Sequence, residues 1–314
     1  MRLAFMGTPD FALPTIRALI DSKKHEVVCV ITQTDKPKGR GRHLMPPPVK
    51  QYALDKGIPV LQPEKIKNNK EIYESLDQLG LDAVIVVAYG KILPADMLDI
   101  PKKGFINVHA SLLPSFRGAA PINRAIMNGC STTGVSIMQI DAGMDSGPVY
   151  IKEQIPIDHD DDAMILSSKL SVLGAETLLE ALDLIDSGQL LPVPQDHEQA
   201  TYSPMLSKDE GEIDWDQDPI TIYNMIRALV PWPCAYSHKG SKTLKIWKAS
   251  YLVEDHDLPR GSLIKDATGL KIACSGGYII PHSLQMEGKK VMESNAFSCG
   301  LKDEGLILSK GGLQ

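Results

Sequence analysis

Four short apolar runs constrain the fold of this chain more than any other feature. They are "RLAFMG" (2–7), "EVVCVIT" (26–32), "DAVIVVAYG" (82–90) and "FINVH" (105–109). Between them, "FALPTIRALIDS", "PVKQYALDKG" and "NKEIYESLDQLG" place apolar residues at helical spacing. Strands alternating with helices predict βαβ units on a mostly parallel sheet, a Rossmann-like α/β domain. In such sheets ligands sit beyond the carboxyl ends of the strands.

Further along, "GVSIMQI" and "VYIKEQIPI" read as strands, and residues 161–188 read as one long helix closed by Gly188. Residues 189–207 hold several prolines and little periodicity, so a linker is expected there. From Lys208 a short helix, "PITIYNMIRAL", precedes strand-like runs separated by glycines: "TLKIWKASYL", "GSLIKD" and "LKIACSGG". That texture predicts a small, mainly β domain of barrel type. The expected division is therefore a domain over 1–188, the linker, and a second domain over 208–314.

A chain of 314 residues has room for two such domains. Its composition, 43% hydrophobic and 23% charged, is that of a soluble globular protein, and no stretch approaches the ~20 apolar residues of a membrane span. A cytoplasmic location is expected. The five cysteines, at 29, 130, 234, 274 and 299, form no CxxC pair, so neither a disulfide framework nor a zinc site is indicated. The net charge of −6 argues against indiscriminate nucleic-acid binding, but it averages over the whole surface. One segment runs against it. "TDKPKGRGRHLMPPPVK" (34–50) carries Lys36, Lys38, Arg40, Arg42 and Lys50 against the single acid Asp35. Its glycines and its three consecutive prolines predict an exposed loop.

The chemistry concentrates around "FINVHASLLPSFRG". Residues i and i+2 of a strand share a face, so Asn107 and His109 project together from the end of their strand. Ser111 and Pro114 then turn the chain, and Leu112 and Leu113 offer an apolar lip. A second loop, "DAGMDSGP", sets Asp145 between Gly143 and Gly147. A carboxylate orients an imidazole, and a carboxamide donates to a developing oxyanion, so the three side chains make an acid/base kit for acyl transfer. There is no GxSxG motif and no cysteine beside a base in sequence, so the substrate must bring its own nucleophile. "GTPDFA" supplies one glycine of the GxGxxG fingerprint, which leaves a dinucleotide-binding dehydrogenase unsupported. On spacing alone, a purely structural role for His109 stays open.

"FMGTPDFA", "GRGRHLMPPPVK", "NVHASLLPSFRGAAPI", "DAGMDSGPV" and "LQMEGKKVM" resemble, in order and along nearly the whole chain, the methionyl-tRNA formyltransferase family of the formyltetrahydrofolate-dependent formyltransferases. The resemblance implies formyl transfer from 10-formyltetrahydrofolate, as co-substrate, to the α-amino group of methionine on initiator tRNA. It implies no metal, no nucleotide cofactor, no membrane, no DNA, and a monomer. By position the catalytic residues fall on Asn107, His109 and Asp145. The folate-binding residues fall on Ser111, Leu112, Leu113 and Pro114, with Tyr89 and Gly90 in "VVAYGKILP". An OB-type C-terminal barrel that helps hold tRNA is implied, with Lys245 and Lys248 beside Lys36, Lys38, Arg40 and Arg42 as tRNA contacts. "PWPCA" departs from the family's usual "PWPGA" at Cys234. A formyltetrahydrofolate hydrolase, a glycinamide ribonucleotide transformylase and a sugar-nucleotide formyltransferase would share the catalytic trio; "GTPDFA", the basic loop and the C-terminal domain argue against them. A non-enzymatic RNA-binding protein would leave the trio without a role. Met6 and Phe11 flank the first loop and fit core packing better than a methionine contact.

Overall fold

The apolar runs become the middle of one sheet. In the computed structural model, which describes residues 1–38, 43–266, 269–300 and 306–309, the elements follow in order. They are β1 (Arg2–Gly7), α1 (Leu13–Ser22), β2 (Glu26–Ile31), β3 (Lys36–Lys38), β4 (His43–Met45), α2 (Pro48–Asp55), β5 (Val60–Leu61), α3 (Lys70–Gln78), β6 (Ala83–Val87), α4 (Ala95–Leu98), β7 (Phe105–His109), β8 (Arg117–Gly118), α5 (Pro121–Met127), β9 (Thr132–Gln139), β10 (Val149–Pro156), α6 (Ala163–Asp186) and β11 (Tyr202–Ser203). Then come α7 (Pro219–Ala228), β12 (Ala235–Lys239), β13 (Lys242–Val253), β14 (Leu263–Asp266), β15 (Gly269–Cys274), β16 (Gly277–Met286), β17 (Met292–Glu293) and α8 (Ser294–Cys299).

The large sheet has the order β10-β9-β7-β6-β1-β2-β5. β7, β6, β1, β2 and β5 are parallel, while β9 runs antiparallel to β7 and β10 antiparallel to β9. The chain winds outward from β1 to β2 and β5, then returns to place β6 and β7 on the other side of β1. This reversal opens a crevice at the carboxyl ends of β1 and β6, the usual ligand position in such sheets. Both faces are covered, as parallel strands require. On one face Leu3, Phe5, Ile85, Ile106 and Val108 meet Leu178 and Leu182 of α6; on the other Met6, Ile31, Val84 and Val86 meet Leu76 and Met97. Met6 is fully buried, and Phe11 packs against the first of these clusters. Gly174 lets α6 come close to β7: a Cβ there would lie 2.7 Å from Val108 Cγ1.

The chain forms two compact units. Residues 1–121, 132–156 and 167–203 make the first; 122–131, 157–166 and 204–314 make the second. This division departs from the expected boundaries. Residues 189–203 do not behave as a linker: Val193 pairs with Val149, β11 pairs in parallel with β8, and Gln195 is buried. Hydrogen bonds to main-chain groups replace the apolar periodicity that sequence reading looks for.

In the second unit an antiparallel sheet of order β12-β13-β16-β15-β14, with β17 beside β16, wraps a core containing Ile222, Ile226, Leu244, Ile246, Ile272 and Leu284. Residues 306–309 join its two edges. His238 of β12 exchanges backbone hydrogen bonds with Ser309, Leu263 N donates to Leu306 O, and Leu308 N donates to Gly261 O. The sheet thus closes into the expected small barrel. α7 is started by Asp218, whose carboxylate accepts from Ile220 N and Thr221 N, with Pro219 at the first helical position. Cys234, where the resemblance implies a glycine, is buried at φ +64°, in the left-handed region that glycine occupies at no steric cost.

Candidate active site

β7 is buried on both sides, so a polar pair at its carboxyl end stands out against its surroundings. His109 is buried and Asn107 half-buried. His109 Nε2 lies 3.0 Å from the Phe116 carbonyl, which only accepts, so Nε2 carries a hydrogen. His109 Nδ1 lies 3.6 Å from Asp145 Oδ2. The Asn107 carboxamide has no protein partner among the described residues, which leaves its N–H groups available.

Two turns hold this arrangement. Asp145 adopts φ +48°, rare for a residue other than glycine, and its Oδ2 accepts from Gly118 N at 2.8 Å. Asp141 organises the same loop, accepting from Gly143 N and from Ser146 Oγ. Gly147 permits a close crossing, since a Cβ there would lie 1.9 Å from Gln139 O. In the other turn, Phe116 sits at φ +59°; its N–H donates to Thr201 Oγ1 at 2.8 Å, and its carbonyl also accepts from Ser203 Oγ at 3.0 Å. The segment expected as a linker thus shapes the loop that orients His109.

The residues expected to hold folate divide by role. Ser111 Oγ donates within the turn to Ser115 O at 2.6 Å. Leu113 is fully buried with Met138 and Val149, while Leu112 and Pro114 are half-buried. Ser136 of β9, which no motif signals, ties the turn to the sheet: its hydroxyl donates to Ser111 O at 2.7 Å and accepts from Leu113 N at 3.0 Å. Tyr89 is buried in the core, and burial pushes its phenol up to about 12. Its hydroxyl has no partner among the described residues, whereas its carbonyl accepts from Thr8 Oγ1 and Gln33 Nε2. Gly90, exposed at φ +78°, takes a backbone conformation that other residues rarely adopt, and a Cβ there would displace the Gln33 amide, whose Nε2 would lie 2.5 Å away. Loops following β1, β2 and β6 are therefore bonded together at the crevice.

The basic segment is a hairpin: β3 pairs with β4, Lys36 opposite Met45 and Lys38 opposite His43. Arg40 and Arg42 lie outside the described residues. Lys36 is exposed, and its Nζ donates to Gln33 Oε1 at 2.8 Å. Lys50 is already paired with Asp35, whose carboxyl is held below the usual carboxylate range by hydrogen bonds from Lys50 and Gln62. In the second unit Lys248 is exposed, whereas Lys245 is half-buried and donates to Pro233 O at 3.1 Å.

The fold is that of the formyl transferases. Residues 1–182 match the family model described as "Formyl transferase", and 205–302 match "Formyl transferase, C-terminal domain". An N-formyltransferase from Helicobacter canadensis, solved with folinic acid and dTDP-3-aminofucose, superposes with a TM-score of 0.66 at 19% identity, over 89% of this chain and 98% of that one. Methionyl-tRNA formyltransferase of Geotalea uraniireducens is 48% identical over 99% of this chain and 98% of its own length. That of Caldanaerobacter subterraneus subsp. tengcongensis is 45% identical over 98% of this chain and the whole of its own. The chain belongs to the methionyl-tRNA formyltransferase family.

Proposed function

We propose that this chain formylates the α-amino group of methionine on initiator tRNA, taking the formyl group from 10-formyltetrahydrofolate, with Asn107, His109 and Asp145 at the reacting centre. The observation that carries the assignment of residues is the placement of His109 Nδ1 3.6 Å from Asp145 Oδ2, on the same strand end as an Asn107 amide without a partner among the described residues.

The neutral amine attacks the formyl carbon, and a carbon–nitrogen bond forms. Asn107 donates to the oxyanion that develops. The Phe116 carbonyl fixes the Nε2 side of the imidazole, while the Nδ1 side is separated from Asp145 by more than a hydrogen bond. That side exchanges a proton with substrate, and the Asp145 carboxylate stabilises the ring when it is charged. The proton lost by the amine is delivered to N10 of the folate as the bond from N10 to the formyl carbon breaks.

Ser111, Leu112, Leu113, Pro114, Tyr89 and Gly90 form the folate-binding surface. Lys36, Lys38, Arg40, Arg42, Lys245 and Lys248 contact tRNA, so the region before residue 189 carries the chemistry and the barrel after 208 contributes binding. The chain acts as a cytoplasmic monomer without DNA. Its mass in solution by light scattering tests the monomer.

The decisive assay compares methionyl initiator tRNA with free methionine and with glycinamide ribonucleotide as acceptors. His109→Ala and Asn107→Ala each lower turnover on the tRNA by roughly two to three orders of magnitude with the fold intact. Near-normal turnover of either variant refutes the assignment.

A further inference from the structure

We infer that Gln195, gripped by the buried Arg117, is a positioning residue for Asp145. The inference rests on the reading of Asp145 as part of the reacting centre, and goes beyond it by naming what holds that carboxylate in place.

Arg117 is 3% exposed. Its Nε and Nη2 both donate to Gln195 Oε1, at 3.1 and 2.8 Å, and Nη2 also faces His197 Nδ1 at 3.1 Å. Among the described residues it meets no carboxylate, so a buried cation is balanced entirely by neutral acceptors. A guanidinium only donates, and this decides the orientation of the Gln195 amide: its oxygen faces Arg117 and its nitrogen faces away. That nitrogen donates to the carbonyls of Asp145 and Gly147, at 2.9 and 2.7 Å. One side chain therefore collects two main-chain carbonyls of the tight loop that carries the catalytic carboxylate.

The loop needs such a fastening. Asp145 sits in the left-handed region, a conformation that persists only where its surroundings enforce it. Arg117 and Gly118 are consecutive residues of β8, and between them they hold Asp145 at both ends. Gly118 N binds its carboxylate at 2.8 Å, and the Arg117 side chain binds its main chain through Gln195. Without the Gln195 amide, two carbonyls lose their donor and the Asp145 backbone relaxes. The distance to His109 Nδ1 is then no longer set. Gln195 lies 50 residues from Asp145, in the stretch that reads from sequence as a linker.

Gln195→Glu is the discriminating variant. It keeps the shape and gives Arg117 an even better acceptor, but it turns an oxygen toward both carbonyls. Gln195→Met removes both interactions and serves if the glutamate variant does not fold. Turnover is normalised to folded protein by the stoichiometry of 5-formyltetrahydrofolate binding. The expected result is a fall in kcat of tenfold or more, because a misplacement of about 1 Å costs on the order of 10²-fold. KM for the formyl donor and for methionyl-tRNA should stay within about threefold. Combined with Asp145→Asn, Gln195→Glu should cause no further loss, since a residue acting through another is not additive with it. Wild-type kcat in a folded Gln195 variant, a change in KM alone, or full additivity overturns the inference. The two readings separate cleanly. If Asp145→Asn is impaired while Gln195→Glu is normal, only the inference fails; if Asp145→Asn is itself normal, the role of Asp145 fails and the inference with it.

Discussion

Lys50 Nζ donates to both carboxylate oxygens of Asp35, each at 2.8 Å, and so fastens together the two ends of the basic hairpin. Gln62 joins them, accepting from Lys50 at 2.6 Å and donating to Asp35 Oδ1 and Gln33 O at 2.8 Å. Gln33 in turn donates to the Tyr89 carbonyl at 2.8 Å. A single polar chain therefore runs from the Tyr89 carbonyl, in the loop assigned to folate, to the foot of the loop assigned to tRNA.

Opposite kinetic signatures should mark the two ends of that chain. Asp35→Asn frees the foot of the hairpin and is expected to raise KM for methionyl-tRNA several-fold, with KM for the formyl donor unchanged. Gln33→Ala should instead raise KM for the formyl donor. Replacing both Arg40 and Arg42 with alanine should weaken tRNA use and flatten its salt dependence, because each lost phosphate contact lowers the slope. Steady-state kinetics across a salt series checks all three; equal KM effects of Asp35→Asn on both substrates would count against separate roles.

The barrel lysines should differ from one another. Lys248 is exposed, so Lys248→Ala is expected to lower tRNA affinity and its salt slope while leaving the melting temperature within about 1 °C of wild type. Lys245 holds the Pro233 carbonyl, so Lys245→Ala should also lower the melting temperature by a few degrees. Filter binding and thermal melts of the two variants separate the effects.

His25 makes stability depend on pH. Burial and the nearby Met1 ammonium, 3.4 Å away, lower its pKa below 6.5, against the opposing pull of Asp183 and Asp186 and with a smaller lowering contribution from Lys24. The unfolded chain therefore binds the proton more readily, and stability falls as pH drops from above 6.5 toward the folded value. The lowered Asp183 carboxyl acts in a different window: its contribution is present above pH 3.8 and is lost only on further acidification. Melting temperatures between pH 7.5 and 5.5 should decline in the wild type and decline less in His25→Gln. Equal declines would remove His25 from the account.

Thiol reactivity should follow burial. Burial pushes Cys29 and Cys274 up to about 11 and also raises Cys130 and Cys234. Cys299 is exposed. Titration of the native protein with a chromogenic disulfide at pH 8 should show one rapidly reacting thiol, lost in Cys299→Ser, with the rest appearing on denaturation. Rapid reaction of Cys29 would contradict the buried position of β2.

Much of this arrangement was written in local sequence. Period and turn residues located β1, β2, β6, β7 and α6, because burial on both faces demands unbroken apolar runs. The i, i+2 spacing put Asn107 and His109 on one face. What remained hidden was held by long-range hydrogen bonds between polar residues. Ser136, Arg117 and Gln195 carry no periodicity, and the partners of Gln195 lie 48 to 78 residues away in the chain. Lys50 illustrates the reverse error: composition counts it as a free positive charge, while the fold pairs it with Asp35.

The closure of the barrel by residues 306–309 has a consequence for biosynthesis. Ser309, whose carbonyl accepts from Ser237 Oγ 72 residues earlier, is synthesised after β12 to β17. Until those residues clear the exit tunnel, β12 and β14 present unpaired edges, the kind of surface on which growing chains mispair. The sheet built around β1 and β7 has by then been complete for more than a hundred codons. Translation therefore yields a finished seven-stranded sheet on a nascent chain whose barrel is still open, and a premature stop just before Leu306 would leave that state permanent.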